Sequence, residues 1–240
     1  MVRIDAKELE TYIAAIFAGL GCPAQEAAAI GLYLTRSNLM GHDSHGVVRA
    51  PVYTRWREEG ALFPGKTPKI LTETPVVAVV DGQRGFGQTM GPFATKLGIE
   101  KAQAMGLAAV SLRNSGHVGR VGDFAEMAAE AGLVSIHFVT AHGTIITAPF
   151  GGVERRFSTA PCCIGVPRQG DEPIILDFAT SVVAEGKCLV ASYGGTPLPD
   201  CALVTPEGEL SSDPYQIYGE SGRGEGARYY RQGKGAIRAF

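Results

Sequence analysis

Apolar positions recur at helical spacing through the first forty residues. Leu9, Ile13, Ile16 and Leu20 form one stripe, with Asp5 and Glu8 at capping-box spacing ahead of it. Gly21 ends that helix. Pro23 suits the first position of a second one, whose face carries Ala27, Ile30 and Leu34 and which stops by Gly41. A third helix is expected from near Gly46 to near Gly60, carrying Arg49, Val52, Tyr53 and Trp56. Beyond Phe63-Pro64-Gly65-Lys66-Thr67-Pro68 the period changes. Short apolar runs at residues 76–80, 107–112 and 133–140 read as strands, and the stretches at about 92–105 and 121–131 as helices. This β-α-β-α-β rhythm implies an α/β chain with partly parallel pairing. Further strands are expected at Cys162–Val166 and Ile174–Phe178, followed by a helix containing Lys187. Beyond Ser211 the pattern is loop-rich, with Tyr215, Tyr218 and Tyr229 packing the tail and no closing element expected after the short apolar pickup at its end. The reading divides the chain into a helical region, residues 1–68, and an α/β region, residues 69–240.

Composition narrows the class. The formal net charge is −2 and charges of both signs are mixed, with no basic run or nucleic-acid-binding motif. The start of the chain lacks the apolar core of a signal peptide, and no run reaches the length of about 18 residues that a spanning helix needs. The expectation is a cytoplasmic protein without membrane or nucleic-acid partners. Five scattered cysteines argue against a disulfide framework and for buried small hydrophobes. The adjacent Cys162 and Cys163 should face opposite sides of their strand.

Polar chemistry concentrates in two blocks. Gly41-His42-Asp43-Ser44-His45-Gly46 follows the second helix, with Arg49 and Tyr53 four apart on the next one. Histidine changes charge near neutral pH, so His45 is a candidate acid or base. The second block, Ser115-Gly116-His117-Val118-Gly119-Arg120, follows the carboxyl end of a strand, where α/β sheets usually bind ligands. The glycines do not form the dinucleotide fingerprint: Gly85-Phe86-Gly87 has Met90 where the last glycine belongs. No phosphate loop is present either. Asp177, Thr180 and Ser181 sit near a strand end, where they could cap the following helix or contact a nucleotide ribose or pyrophosphate.

The ordered set Gly41-His-Asp-Ser-His-Gly46 with Arg49, Ser115-Gly-His-Val-Gly119, and Leu176-Asp-Phe-Ala-Thr-Ser181 with Gly186-Lys187 resembles the second type of malate/L-lactate dehydrogenase family. That family also includes ureidoglycolate, sulfolactate and diketogulonate oxidoreductases. The resemblance covers about residues 5–235. It implies a non-Rossmann nicotinamide-binding domain with a mixed sheet, a homodimer, and a family segment continuing beyond this chain's C-terminus. It implies NAD or NADP as cofactor, with NAD favoured. Hydride would pass reversibly between that cofactor and a small 2-hydroxy acid such as malate or lactate. His45 and His117 would share proton transfer and substrate polarisation, Ser44 would pass a proton or bind the carbonyl, Arg49 would hold the substrate carboxylate, and Tyr53 would close the pocket. Thr140, Pro149, Asp177, Thr180, Ser181 and Lys187 are the cofactor-side candidates. No resident metal is expected. Two departures stand out: the family's glycine-threonine-asparagine-proline stretch is Ser158-Thr159-Ala160-Pro161 here, and Ala141-His142 replaces a frequent asparagine. Two other classes remain open at this level. One is a metal-dependent hydrolase using His42, His45 and His117, although H-D-x-H is not H-E-x-x-H. The other is a non-catalytic metabolite-binding module.

Overall fold

A computed structural model describes residues 3–140, 145–192, 194–218 and 235–239. Ala141, His142 and Tyr229, singled out above, lie outside the described residues. The chain divides into two compact units: residues 1–135 with 164–175, and residues 136–163 with 176–240. The expected division at 68–69 falls inside the first of these.

In the first unit, α1 (Ala6–Gly19) begins where Asp5 accepts from the backbone N–H groups of Lys7 and Glu8. It buries Ile13 and Phe17. α2 (Ala24–Leu39) follows, with Pro23 one residue ahead of it. A side chain at Gly31 of α2 would strike the backbone of α1, so the absent Cβ is what lets the two helices approach closely. The continuous third helix expected from Gly46 is replaced by two 3₁₀ turns, Asp43–His45 and Val47–Arg49, before α3 (Ala50–Glu58). The extended backbone of Gly46 separates the turns, and Pro51 stands in the first turn of α3, where its missing N–H costs nothing.

β1 (Lys69–Glu73) pairs antiparallel with β2 (Val77–Asp81), with an irregularity between Ile70 and Thr72. β2 pairs parallel with β3 (Ala109–Arg113) through the crossover helix α4 (Gly87–Met105), giving the order β1-β2-β3. The α/β class with mixed pairing is therefore as expected. α4 starts at Gly87, five residues before the expected start near Pro92. Thr89 and Met90 donate to the Phe86 carbonyl, and Gly87 lies so close to the backbone of His117 and Val118 that a Cβ would collide there. The helix start is thus built against the second histidine loop. α5 (Gly122–Glu130) follows, and Gly91 of α4 leaves room for the Phe124 ring. β4 (Ser135–Phe138) then leads out of this unit.

β5 (Thr147–Ala148) lies in the second unit, while β6 (Cys162–Val166) and β7 (Ile174–Phe178), whose bounds are those read from the sequence, each contribute residues to both units. β4, β6 and β7 hydrogen-bond in the order β4-β6-β7. α6 (Glu185–Ser192), β8 (Leu203–Val204), β9 (Leu210–Ser211), α7 (Tyr215–Tyr218) and β10 (Ala236–Arg238) follow. β10 corrects the expectation of no closing element. It is an inner strand of the order β5-β10-β8-β9, parallel to β5 and antiparallel to β8. Ile146, Val183, Cys188, Leu203, Ile217 and Ile237 form the core of this unit. Tyr215 and Tyr218 pack as expected, donating to Ser192 and Glu185 of α6. Cys163 is buried and Cys162 partly so, the alternation expected of adjacent strand residues. No described helix is long and apolar enough to cross a membrane.

Candidate active site

The first unit brings the two histidine blocks together. α2 runs into Gly41, whose φ of +76° is a left-handed turn that glycine adopts without strain. The His42 N–H donates to the Ser37 carbonyl, and the chain coils into the Asp43–His45 turn. There the Ser44 hydroxyl lies 3.0 Å from Nδ1 of its neighbour His45. The Arg49 Nε donates to the Ser44 carbonyl at 2.5 Å, so the guanidinium folds back over the turn.

The other half comes from the loop after β3. Gly116 donates to the Gly85 carbonyl at 2.8 Å, and a Cβ there would meet Leu62 and that same carbonyl. This fixes His117 beneath the first block. The His45 and His117 rings stack with centroids 5.4 Å apart and planes 23° from parallel. The Tyr53 hydroxyl, from α3, lies 2.6 Å from His117 Nδ1. Tyr53 is 1% exposed and sits among Phe17, Phe86 and Trp56, so its ring has little freedom to leave.

Gln88, which the sequence reading passed over, completes this arrangement. Its Nε2 donates to the Tyr53 hydroxyl at 3.0 Å and to the His117 carbonyl at 3.3 Å. It is 1% exposed, and its Oε1 has no hydrogen-bond partner. A glutamine in an otherwise apolar Gly-Phe-Gly-Gln-Thr-Met run was the available signal. Asn38 was missed too: it joins the last turn of α2 to Asp43 and to Val47.

Electrostatics keep the rings neutral. Burial first, then the charges of Arg49 and His42, push His45 down to about 4. Burial, Arg49 and His45 push His117 well below the ordinary histidine range. Burial drives the Tyr53 phenol up to about 12, against the opposing pull of Gln88 and Arg49. At neutral pH the site thus presents two neutral imidazoles and a protonated phenol beside a fixed guanidinium. An imidazole in that state can take a proton, and a guanidinium can grip a carboxylate through two parallel hydrogen bonds.

Arg120, noted beside His117, is turned away into a buried ion cluster. It is 5% exposed and donates to Asp123 at 2.9 Å and Glu126 at 2.6 Å. Arg36 of α2 reaches the same two carboxylates. The cluster ties the end of the His117 loop to α5 and α2.

The metal-site alternative does not gain a ligand set. Among the described residues, no three His, Cys, Asp or Glu side chains are grouped to hold an ion. The Nδ1 atoms of His45 and His117 instead face Ser44 and Tyr53.

The remaining candidates lie in the second unit. Asp177 is within β7, Thr140 follows β4 and Pro149 follows β5. The hydroxyl of Thr180 donates to the Thr159 and Ala160 carbonyls, and that of buried Ser181 donates to the Val183 carbonyl. These hydroxyls therefore brace local backbone rather than the start of α6. Lys187 is exposed on α6.

The sequence profile described as malate/L-lactate dehydrogenase matches residues 4–233. The chain belongs to that family. Among members of the malate/L-lactate dehydrogenase family, hydroxycarboxylate dehydrogenase B of Escherichia coli O157:H7 is 44% identical over 212 residues, covering 88% of this chain and 59% of that protein. The malate dehydrogenase of Pyrococcus abyssi is 36% identical over 217 residues, covering 90% and 59%. A solved Escherichia coli structure, provisionally described as a malate/lactate dehydrogenase, superposes with a TM-score of 0.91 at 40% identity, covering 100% of this chain and 64% of that one. The chain thus spans about three-fifths of the length of the curated relatives it matches.

Proposed function

We propose that this chain supplies the acid–base and carboxylate-binding groups for reversible hydride transfer between a nicotinamide cofactor and C2 of a small 2-hydroxy acid, such as malate or lactate. The observation that carries the reading is the stacked His45–His117 pair, its rings held neutral, with Tyr53 and Gln88 bonded behind His117 and Arg49 bonded to the Ser44 carbonyl.

Donor accounting suggests a division of work. Gln88 donates to the Tyr53 hydroxyl, which keeps its own proton for His117 Nδ1. The hydrogen of neutral His117 then sits on Nε2, as a donor toward a substrate oxygen. His45 can donate from Nδ1 to Ser44, which leaves Nε2 as a base. In alcohol oxidation His45 takes the hydroxyl proton while His117 holds the oxygen as it becomes a carbonyl. In reduction of the keto acid the proton returns to that oxygen from His45. Arg49 holds the substrate carboxylate and so fixes C2 in the site.

The nicotinamide, when bound, accepts the hydride that leaves C2 or returns it in the reverse direction. On the side of the second unit, the exposed Lys187 ammonium would hold a diphosphate, and the exposed Thr180 hydroxyl, whose hydrogen faces the Thr159 and Ala160 carbonyls, would accept from a ribose hydroxyl. Thr140, Pro149, Asp177 and Ser181 complete the proposed cofactor side. NAD, a homodimer and a cytoplasmic setting belong to the same reading; light scattering in solution decides the second. The testing experiment is a scan of 2-hydroxy and 2-keto acids with NAD(H) and NADP(H), followed at the cofactor absorbance. A rate with at least one pair supports the proposal, and no rate with any pair contradicts it.

A further inference from the structure

Ser44 and His45 are bracketed by one side chain that plays no part in the chemistry above. Asn38 stands in the last turn of α2. Its Nδ2 donates to Asp43 Oδ1 at 2.5 Å, at the start of the Asp43–His45 turn. Its Oδ1 accepts from the Val47 N–H at 2.9 Å, where the next turn begins. Its backbone carbonyl also accepts from Gly41 at 3.0 Å. Residue 38 therefore touches the loop at its start, before Ser44 and after His45.

The glycine at 46 is explained by the same contact. Its φ of −84° needs no glycine, but any Cβ would run into the Asn38 amide. Arg49 is tied in as well, because its Nε bonds the Ser44 carbonyl inside the bracketed segment.

We propose that Asn38 is a positioning residue for His45, with Asp43 as its obligatory acceptor, so that the two act as one donor–acceptor clamp on the loop. The proposal rests on the dehydrogenase reading of the site. The chemistry is specific: the position needs an acceptor for Val47 and a donor for Asp43 on one planar group. Leucine offers neither. Aspartate offers acceptors only, and would set a second carboxylate against Asp43. Asparagine at 43 would cure that conflict by supplying the donor from the other side.

The test uses Asn38→Asp, Asp43→Asn and the double variant in the whole chain. N38D should lower kcat/KM by on the order of 100-fold, since small misplacements of catalytic groups carry such effects. D43N should stay within about threefold of the parent, because its amide can turn its oxygen to Asn38. The double variant should regain at least about tenfold over N38D, as a restored donor–acceptor pair requires. The imidazole NMR signals of His45 should shift in N38D and return in the double variant, with those of His117 unmoved and far-UV circular dichroism unchanged. This second reading needs no turnover, so it separates a failure of the clamp from a failure of the dehydrogenase reading. An N38D chain with parental turnover and parental His45 signals, or a double variant no better than N38D, would overturn the proposal.

Discussion

The Tyr53 hydroxyl lies 2.6 Å from Nδ1 of His117, while Gln88 donates to the same hydroxyl from behind. The phenol therefore relays a fixed hydrogen-bond direction from α4 to the imidazole. Replacing Tyr53 with Phe leaves the ring stack nearly intact but strands a buried Gln88 donor and the His117 nitrogen. Stability should fall by about 1–3 kcal/mol, the cost of unsatisfied buried groups. Turnover should fall further than that loss explains, by roughly 10–100-fold, because His117 loses its tautomer control. Urea titration and steady-state kinetics on the same preparation separate the two effects.

Arg49 donates from Nε to the Ser44 carbonyl, which aligns its guanidinium over the turn. Lysine can supply the charge, but its single ammonium cannot hold the Ser44 carbonyl and give a carboxylate a two-pronged grip at once. R49K should raise KM for the acid substrate at least about tenfold and leave cofactor affinity within about twofold. Cofactor titration by fluorescence, set beside substrate kinetics, reads this split. Equal loss of both affinities would make Arg49 a structural residue instead.

Stability should also depend on pH through His45. Burial first, with help from Arg49 and His42, lowers this imidazole from 6.5 to about 4 in the folded chain. Between those two values the unfolded chain binds more protons than the folded one. The contribution is thus complete above pH 6.5 and is lost as pH falls toward about 4. His117 is shifted in the same direction by its own burial and adds to this slope. Urea midpoints measured from about pH 7 down to about pH 4.5 should fall, and fall less steeply in H45Q. An unchanged slope in H45Q would mean that folding does not shift the titration of this ring.

The ion cluster behind the His117 loop gives a contrast in stability. Arg120 is 5% exposed and bonds both Asp123 and Glu126, whereas the side chain of Arg36 is 40% exposed. Removing Arg120 leaves two buried carboxylates short of a cation, a loss of about 3–5 kcal/mol. R36A, at a partly wet position, should cost about 1 kcal/mol or less. Chemical denaturation of the two variants checks the ranking.

Much of this was legible because local pattern carried it. Asp5 and the stripe behind it specified α1, and turn residues on both sides fixed the limits of β6 and β7. Two glycine-flanked histidines announced the site, and the structure stacks them. What escaped depended on distance along the chain. Gln88 and Asn38 are ordinary polar residues in helical stretches until Tyr53, His117 and Val47 arrive beside them. β1 is exposed at every position, so it offers no alternation to read. β10 is three residues long and acquires its identity from β5 and β8 on either side. The start of α4 at Gly87 rests on close packing against His117 and Val118, a contact distant in sequence.

The central claim is that this site moves a hydride at C2 with an imidazole moving the proton. Its most direct test is isotope transfer. The chain is incubated with a 2-keto acid and reduced cofactor deuterated at C4, using NADH and NADPH and each C4 face in turn, and the product is analysed by mass spectrometry. The account predicts a 2-hydroxy acid carrying one deuterium at C2 with one face only, formed far more slowly by H45Q and H117Q. Product without deuterium from either face, or undiminished transfer in both variants, would contradict it.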